Sequence, residues 1–403
     1  MPERPQDSAA RWSPWLPAAG LLAFRLLLLA ALPYDALFAY GDQRYFFALA
    51  RLAALEGGGL PWIGHWVEFP PLFPYLSLGL FTWSGGIEHL YVYGLALLMT
   101  VFDLGSLLLF GRLARRVAAP AAAMRLAWLY AAFLALPAFG WWTFEPMAVF
   151  WMLLALERTL AGRPWQAGAA AGIGLLTKFV PALALVVAWR FRTRGHALRA
   201  TLVAAAIGAA GLAPFFVIAP EMAAASLRSQ AAKGSWQTVW ALIDGNLRTG
   251  TFGAPQEHLD PAQALRPRGA PAAVPLWATT LAFAGLGLAL FVAARRAPDR
   301  AAPGFLALAW CVLFLWARGW SPQWLAYLAP LLALALPTAQ AVGFGLNLAG
   351  AALLEWPVLL SRGRFDLLYL TVPLRTGLLI LLAAVLTLSI RRARTAPSPG
   401  EEP

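Results

Sequence analysis

The chain has 403 residues, 60% of them hydrophobic and 12% charged, with a mean hydropathy of +0.65. An ordinary soluble domain carries roughly 25% charged residues. The composition therefore excludes a water-soluble fold and fits a polytopic membrane protein, whose lipid-facing positions need no charge. The net charge of +12 sits in no Lys/Arg-rich tract with interleaved aromatics, which argues against a nucleic-acid groove, and the single cysteine, Cys311, excludes an internal disulfide.

In chain order the apolar windows lie at roughly 12–33, 91–110, 124–140, 144–157, 165–177, 179–189, 200–219, 273–293, 302–317, 321–337, 341–360 and 367–390. They predict an all-α transmembrane bundle of about 12 spans, within a range of about 10–13. Windows 144–157, 165–177 and 179–189 are shorter than the roughly 20 residues that cross hydrocarbon, so they read as broken or merged helices. The first run follows Arg4 and Arg11 and reads as a retained span rather than a cleaved signal.

Arginines test the assignment. With the N-terminus inside, the inner connections hold Arg112, Arg115, Arg116 and Arg125, then Arg158 and Arg163, then Arg190, Arg192, Arg194 and Arg199, then Arg295, Arg296 and Arg300. With Arg4, Arg11, Arg391, Arg392 and Arg394 they make 18 of the 31 basic residues, a positive-inside pattern that predicts both termini in the cytoplasm. The join near residue 340 is the exception and carries no charge. Two long loops, 34–90 and 220–272, then fall on the outer side and gather acids. Leu72 to Trp83 is apolar but too short to cross, and reads as an interfacial helix. The expected organisation is a module over 1–337 with those two loops, C-terminal transmembrane helices over 338–394, and a disordered Pro/Ser/Glu-rich tail over 395–403.

Polar residues stand out against this background. Asp42 lies past the first span in YGDQRYF, beside Arg44 and Tyr45; it is placed either to act as a general base or to pair with Arg44 in an exposed loop. Glu68 in VEFPPLFPYL precedes a helix that Pro70 and Pro71 set up, near its positive end, and His65 could share the pocket. Arg25 and Asp103 fall inside spans, where ionised groups pair or function; Arg25 could instead reach a lipid phosphate. Lys178, in GLLTKFVPAL, sits at an outer break between two short windows, where a lysine and free backbone amides suit a phosphate; a snorkelling lysine is the plain alternative. Arg318 and Gln323 flank an outer turn in which Ser321 could cap a helix, among Trp316, Trp320 and Trp324. In the second loop Lys233 precedes SWQTVW, where Ser235 could cap a helix that puts Trp236 and Trp240 on one face. There is no Walker loop, HExxH, GxSxG or CxxC, and four histidines are too scattered for a metal site.

Five pieces recur in order: DQRYF after the first span, EFPPLFPYL at 68–76, VFDLGSLLLF at 101–110, LLTKFVPAL at 175–183 and WSPQWLAYLAP at 320–330, with SWQTVW as a sixth. This order resembles integral-membrane glycosyltransferases of the GT-C type that use polyprenyl-phosphate sugars. The nearest look is to bacterial mannosyltransferase-like members such as glycosyltransferase family 87. The resemblance covers most of residues 20–337 and implies that this module is catalytic. It implies Asp42 as base and Lys178 and Arg318 at the donor phosphate; from the residues themselves Glu68 is a second catalytic candidate and Arg25 a further donor-phosphate candidate. Arg44, Tyr45, His65, Gln323, Trp320 and Trp236 would line the substrate pocket. Some members carry an acid pair after the first span, whereas Asp42 is followed by Gln43. The implied reaction is inverting transfer of a sugar, mannose first, to an acceptor hydroxyl on a glycan, lipid or protein. It takes place at the outer face of the plasma membrane, with no required cofactor or divalent metal, by a chain active as a monomer and with no nucleic-acid partner. A transporter or flippase of lipid-linked substrates would share the intramembrane charges and broken helices. A ligase or lipid-phosphate phosphotransferase would use the same interface and cations.

Overall fold

The computed structural model describes residues 13, 15–38, 41–135, 140–141, 143–247, 252–295, 297–359 and 362–395. The expected tail beyond 395, and Arg4, Arg11 and Arg296 of the charge pattern, lie outside the described residues. The described chain is helical, with three isolated bridges and no strand. Its helices are α1 (Trp15–Ala31), α2 (Tyr34–Leu37), α3 (Gln43–Leu55), α4 (Leu72–Trp83), α5 (Glu88–Val117), α6 (Pro120–Leu134), α7 (Glu145–Leu160), α8 (Pro164–Thr177) and α9 (Leu185–Phe191). They continue as α10 (Arg194–Ile218), α11 (Pro220–Ala232), α12 (Val239–Asp244), α13 (Leu276–Ala293), α14 (Ala302–Trp316), α15 (Leu325–Ala335), α16 (Thr338–Leu353) and α17 (Leu368–Thr395).

Five helical segments are long and apolar enough to cross a membrane: Glu88–Val117, Arg194–Ile218, Leu276–Ala293, Asp299–Trp316 and Phe365–Arg394. Five shorter apolar helices, Leu72–Trp83 among them, have 10–17 residues, so the twelve expected crossings are not all matched by helices of spanning length. The break expected around Lys178 is present. Helix α8 ends at Thr177, and a 3-10 turn, Val180–Ala184, runs into the seven-residue α9. Pro181 lacks the amide hydrogen that would continue α8.

Packing follows residue size. On α8 a Cβ at Gly168 would sit 2.4 Å from the Ala200 carbonyl, and one at Gly172 3.0 Å from that of Ala204, so α8 and α10 meet backbone to backbone. A large apolar core joins α5, α6, α7, α14, α15 and α17. Helix α13 stands at the edge, with only Thr279 buried.

Arginines gather where helices end. Arg116 donates to the Leu160 carbonyl, Arg192 to those of Thr159 and Leu160, Arg300 to that of Ala393 and Arg394 to that of Ala293. Arg192 also makes a two-pronged bond to Asp299, at 2.7 and 2.8 Å. These groups satisfy carbonyls that a helix C-terminus leaves open. The other ends of α5, α7, α8 and α14 carry the loops that build the site.

Candidate active site

An aromatic cluster fixes three starting points. Phe73 of α4 stacks on Phe144 at 4.1 Å, and Phe46 of α3 packs edge-on against Phe73 at 4.7 Å and Phe69 at 5.7 Å. The first turns of α3 and α7 and the Glu68 segment are thereby held together. Asp42 occupies the N-cap of α3, yet its side chain makes no capping bond. It is half-buried and faces Gln323, whose Nε2 donates to Oδ2 at 3.4 Å. Burial pushes the Asp42 carboxyl up to about 6, with Glu145 adding to the rise and Lys178 and Lys233 opposing it.

The two long loops interlock around Glu68. The Val67 amide donates to Ser226 Oγ at 3.0 Å, the Trp66 amide to the His258 carbonyl at 3.0 Å, and Trp66 Nε1 to the Asp260 carbonyl at 3.0 Å. His258 stacks on the Trp66 ring at 3.7 Å. Tyr45 Oη lies 2.8 Å from Glu68 Oε2 and 3.2 Å from His258 Nε2. Burial raises Glu68, against the pull of Lys233, and it lowers His258 to about 4.

Two lysines face these acids. Lys178, where α8 breaks, pairs with Glu145 at the start of α7 and lies over the rings of Phe144 (5.2 Å) and Trp324 (5.7 Å). Lys233 follows α11 and sits over Phe252 at 4.3 Å and Trp236 at 5.0 Å. It has no carboxylate within ion-pair distance among the described residues. Burial lowers its pKa, while Glu68 and Asp42 hold it up. Asp42, Glu68, Glu145, Lys178 and Lys233 thus form one charged cluster at one end of the bundle.

Several expected residues are held by protein partners. Arg25 lies on α1, inside the bundle. It is buried against Asp103 at 2.5 Å, Thr100 at 3.1 Å and the Leu134 carbonyl at 2.8 Å, since a guanidinium in a span needs internal acceptors. Arg318 binds Asp244 at 3.3 Å and the Val274 carbonyl, bracing the second loop. Arg44, two positions past Asp42 on α3, turns to the far side of the helix and meets Glu88 at 3.6 Å instead of Asp42. His65 is fully buried in a tight turn, where Nδ1 donates to the Gly58 carbonyl at 3.0 Å. Trp320 is buried under Arg375, and Trp236 pairs its backbone with Gly319 and lies under Lys233. The short helix there begins at Val239, capped by Thr238, whose Oγ1 accepts from the Ala241 amide; Ser235 instead donates to Asp244. Ser321 occupies the N-cap of the 3-10 turn Pro322–Trp324 without a side-chain capping bond.

Glu145, Lys233 and His258 join the site without having been singled out as site residues from the sequence. Glu145 carried a readable signal: in TFEPMAV an acid precedes a proline at the start of an apolar helix, the same device as Glu68 in VEFPP. No group of three or more His, Cys, Asp or Glu suited to a metal ion occurs among the described residues. An apolar cavity of about 310 Å³ lies between α9, α13 and α14. Leu183, Val186, Phe283, Phe291 and Val312 line it, and Trp316, bonded to Thr280 at 3.1 Å, stands at one end.

No protein-family model and no curated protein matches the chain. Among solved structures it is similar to the apo oligosaccharyltransferase of Archaeoglobus fulgidus, with 15% identity, a TM-score of 0.47, and coverage of 97% of this chain and 57% of that one. It is similar to oligosaccharyltransferase AglB of the same organism with an inhibitory peptide and a dolichol-phosphate, at 16%, 0.46, 97% and 57% respectively. It is also similar to apo ArnT from Cupriavidus metallidurans, at 15%, 0.49, 93% and 76%. The chain spans a little over half the length of the archaeal oligosaccharyltransferases it matches, 57% of each.

Proposed function

We propose that the chain is an inverting GT-C type glycosyltransferase. It moves a sugar, with mannose the first candidate, from a polyprenyl-phosphate donor to an acceptor hydroxyl at the outer membrane face. The observation that carries this reading is the half-buried Asp42, raised to about 6 and facing Lys178 and Lys233 across one cluster. A carboxylate with that pKa is ionised at neutral pH yet basic enough to accept a hydroxyl proton.

The acceptor oxygen attacks the anomeric carbon while Asp42 takes its proton. The bond from that carbon to the phosphate oxygen breaks on the opposite face, and the electron pair leaves with the lipid phosphate. That phosphate is already anionic, so it needs fixed positive charge rather than an acid. Lys233 supplies it, with no carboxylate at ion-pair distance among the described residues, and Lys178 adds to it from the pair with Glu145. Gln323 orients Asp42 through its 3.4 Å bond. The isoprenoid tail occupies the apolar groove between α9, α13 and α14, where the lining residue Leu183 follows Lys178 by five positions. The reading uses the positive-inside arginines to put this end of the bundle outside and both termini in the cytoplasm.

Membranes containing the chain should transfer radiolabel from one member of a panel of polyprenyl-phosphate mannose, glucose and arabinose to native lipid or glycan extract. Transfer without a covalent sugar on Asp42 supports direct displacement. Label that crosses the bilayer with no transfer supports a flippase.

A further inference from the structure

The contacts around Tyr45 set a count of protons. The Trp66 carbonyl can only accept, so His258 Nδ1, 2.8 Å away, carries hydrogen. A neutral His258 then turns a bare lone pair at Nε2 towards Tyr45 Oη, 3.2 Å away. Tyr45 has one hydroxyl hydrogen and two neighbours that need it, Nε2 and Glu68 Oε2 at 2.8 Å. With Glu68 ionised and His258 neutral, one of the two contacts sets lone pair against lone pair. One added proton satisfies every contact. Glu68, as the neutral acid, donates to Tyr45 Oη; Tyr45 donates to Nε2; and Nδ1 donates to the Trp66 carbonyl.

The proton has one other possible home, an imidazolium at His258. The surroundings decide between them. His258 is fully buried and stacked on Trp66, with Arg268 nearby, and the acid beside it, Glu257, is held by Arg268 at 2.8 Å. His65 adds no negative charge on that side. Glu68 is buried too, facing Lys233 and, farther off, Asp42; Tyr45 faces Asp42 and Arg268 as well as Glu68. Burial disfavours both charged forms, and the proton that neutralises Glu68 also leaves His258 neutral.

We propose that Glu68, Tyr45 and His258 form a relay storing one proton, with Glu68 held as the neutral acid by Tyr45 and His258 acting as positioning residues. The hydrogen bonds set the proton count, and the burial of both groups places the proton on Glu68. It deepens the transfer reading by leaving Asp42, and not Glu68, as the ionised base of the cluster. At high pH the relay loses its proton and Tyr45 must abandon one neighbour.

The test is the protonation state itself, in the full chain in lipid nanodiscs. Infrared pH titration should show a carboxylic-acid carbonyl band at pH 7 that E68Q removes. His258→Phe keeps the stacking surface but removes Nε2, and Y45F removes the bridge; each should lower the band's titration midpoint by about one pH unit or more. Nitrogen NMR on the four histidines, with H258F assigning the signal, should report a neutral Nδ1–H ring. A band untouched by E68Q, a midpoint unmoved in both H258F and Y45F, or an imidazolium at His258 would each overturn the relay. Sugar transfer is not the readout, so a failure of the transferase reading leaves this result standing.

Discussion

The two ends of the bundle handle charge in opposite ways. At the arginine end, Arg116, Arg192, Arg300 and Arg394 each donate to the carbonyls of a finished helix, and Arg192 adds a bidentate bond to Asp299. Those arginines satisfy open carbonyls and tie helix ends together. At the other end, Asp42 makes no capping bond, Lys233 has no ion-pair partner among the described residues, and both are partly or wholly withdrawn from water. Charge left unneutralised in a low-dielectric place strengthens any interaction with a reacting group and costs stability. The comparison teaches that the arginines of one end serve helix ends, whereas the lysines and carboxylates of the other face one another, as the proposed reaction requires.

The comparison breaks most visibly at Lys178. K178M should abolish sugar transfer and, by leaving the buried Glu145 alone, destabilise the protein by about 3–5 kcal/mol. The double variant K178M/E145Q should recover most of that stability in thermal melts but none of the transfer. Recovery of both would make the pair purely structural.

Asp42 comes next. Its folded pKa of about 6 lies above the ordinary carboxyl value of 3.8, so folding disfavours its charged form. The stability linked to this group is fully present below about pH 4 and is lost as pH rises through about 6. The loss amounts to at most about 3 kcal/mol at neutral pH. D42N should therefore be more stable than wild type at pH 7.5 and equal to it near pH 4. The wild-type rate should fall on acidification with a midpoint near pH 6, so activity and stability run in opposite directions. Equal denaturation midpoints at both pH values would contradict the burial of Asp42.

Smaller effects sharpen the contrast. Lys233→Ala should raise donor KM by about 10-fold with little change in melting temperature, because among the described residues the lysine has no ion-pair partner to strand. Arg192→Ala should do the reverse. It should cost about 1–2 kcal/mol through lost carbonyl bonds and leave donor KM unchanged. A KM effect in R192A of the size seen in K233A would erase the division between the two ends.

The arginine end was legible in the sequence because it is local: arginines beside apolar windows mark helix ends without any knowledge of tertiary contact. The break at Lys178 and the helix Leu72–Trp83 were legible for the same reason, through Pro181 and through Pro70 and Pro71. The cluster was legible only in part. Asp42, Tyr45 and Glu68 announce themselves as polar groups after a span, but their partners lie far along the chain, with His258 213 residues from Tyr45 and Gln323 281 residues from Asp42. No periodicity encodes such distances. Arg25 and Arg318 stayed open for a related reason, although the Arg25–Asp103 pair was among the alternatives the sequence offered. An arginine at membrane depth signals a need for acceptors, and sequence does not say whether Asp103 and Asp244 or a substrate provides them. The C-terminal helices hid their contribution altogether: Arg375, on α17, reaches Glu355 and the Gln237 carbonyl and covers Trp320 under the site.

The most direct measurement compares wild type with Asp42→Asn in radiolabelled sugar transfer from a polyprenyl-phosphate donor, at matched protein level and matched donor binding. Loss of a general base costs typically 10²–10⁴-fold, and a fall of about 10³-fold with donor binding unchanged is the expected result. Transfer that persists at wild-type rate in D42N would contradict the account at its centre and move the base to another residue.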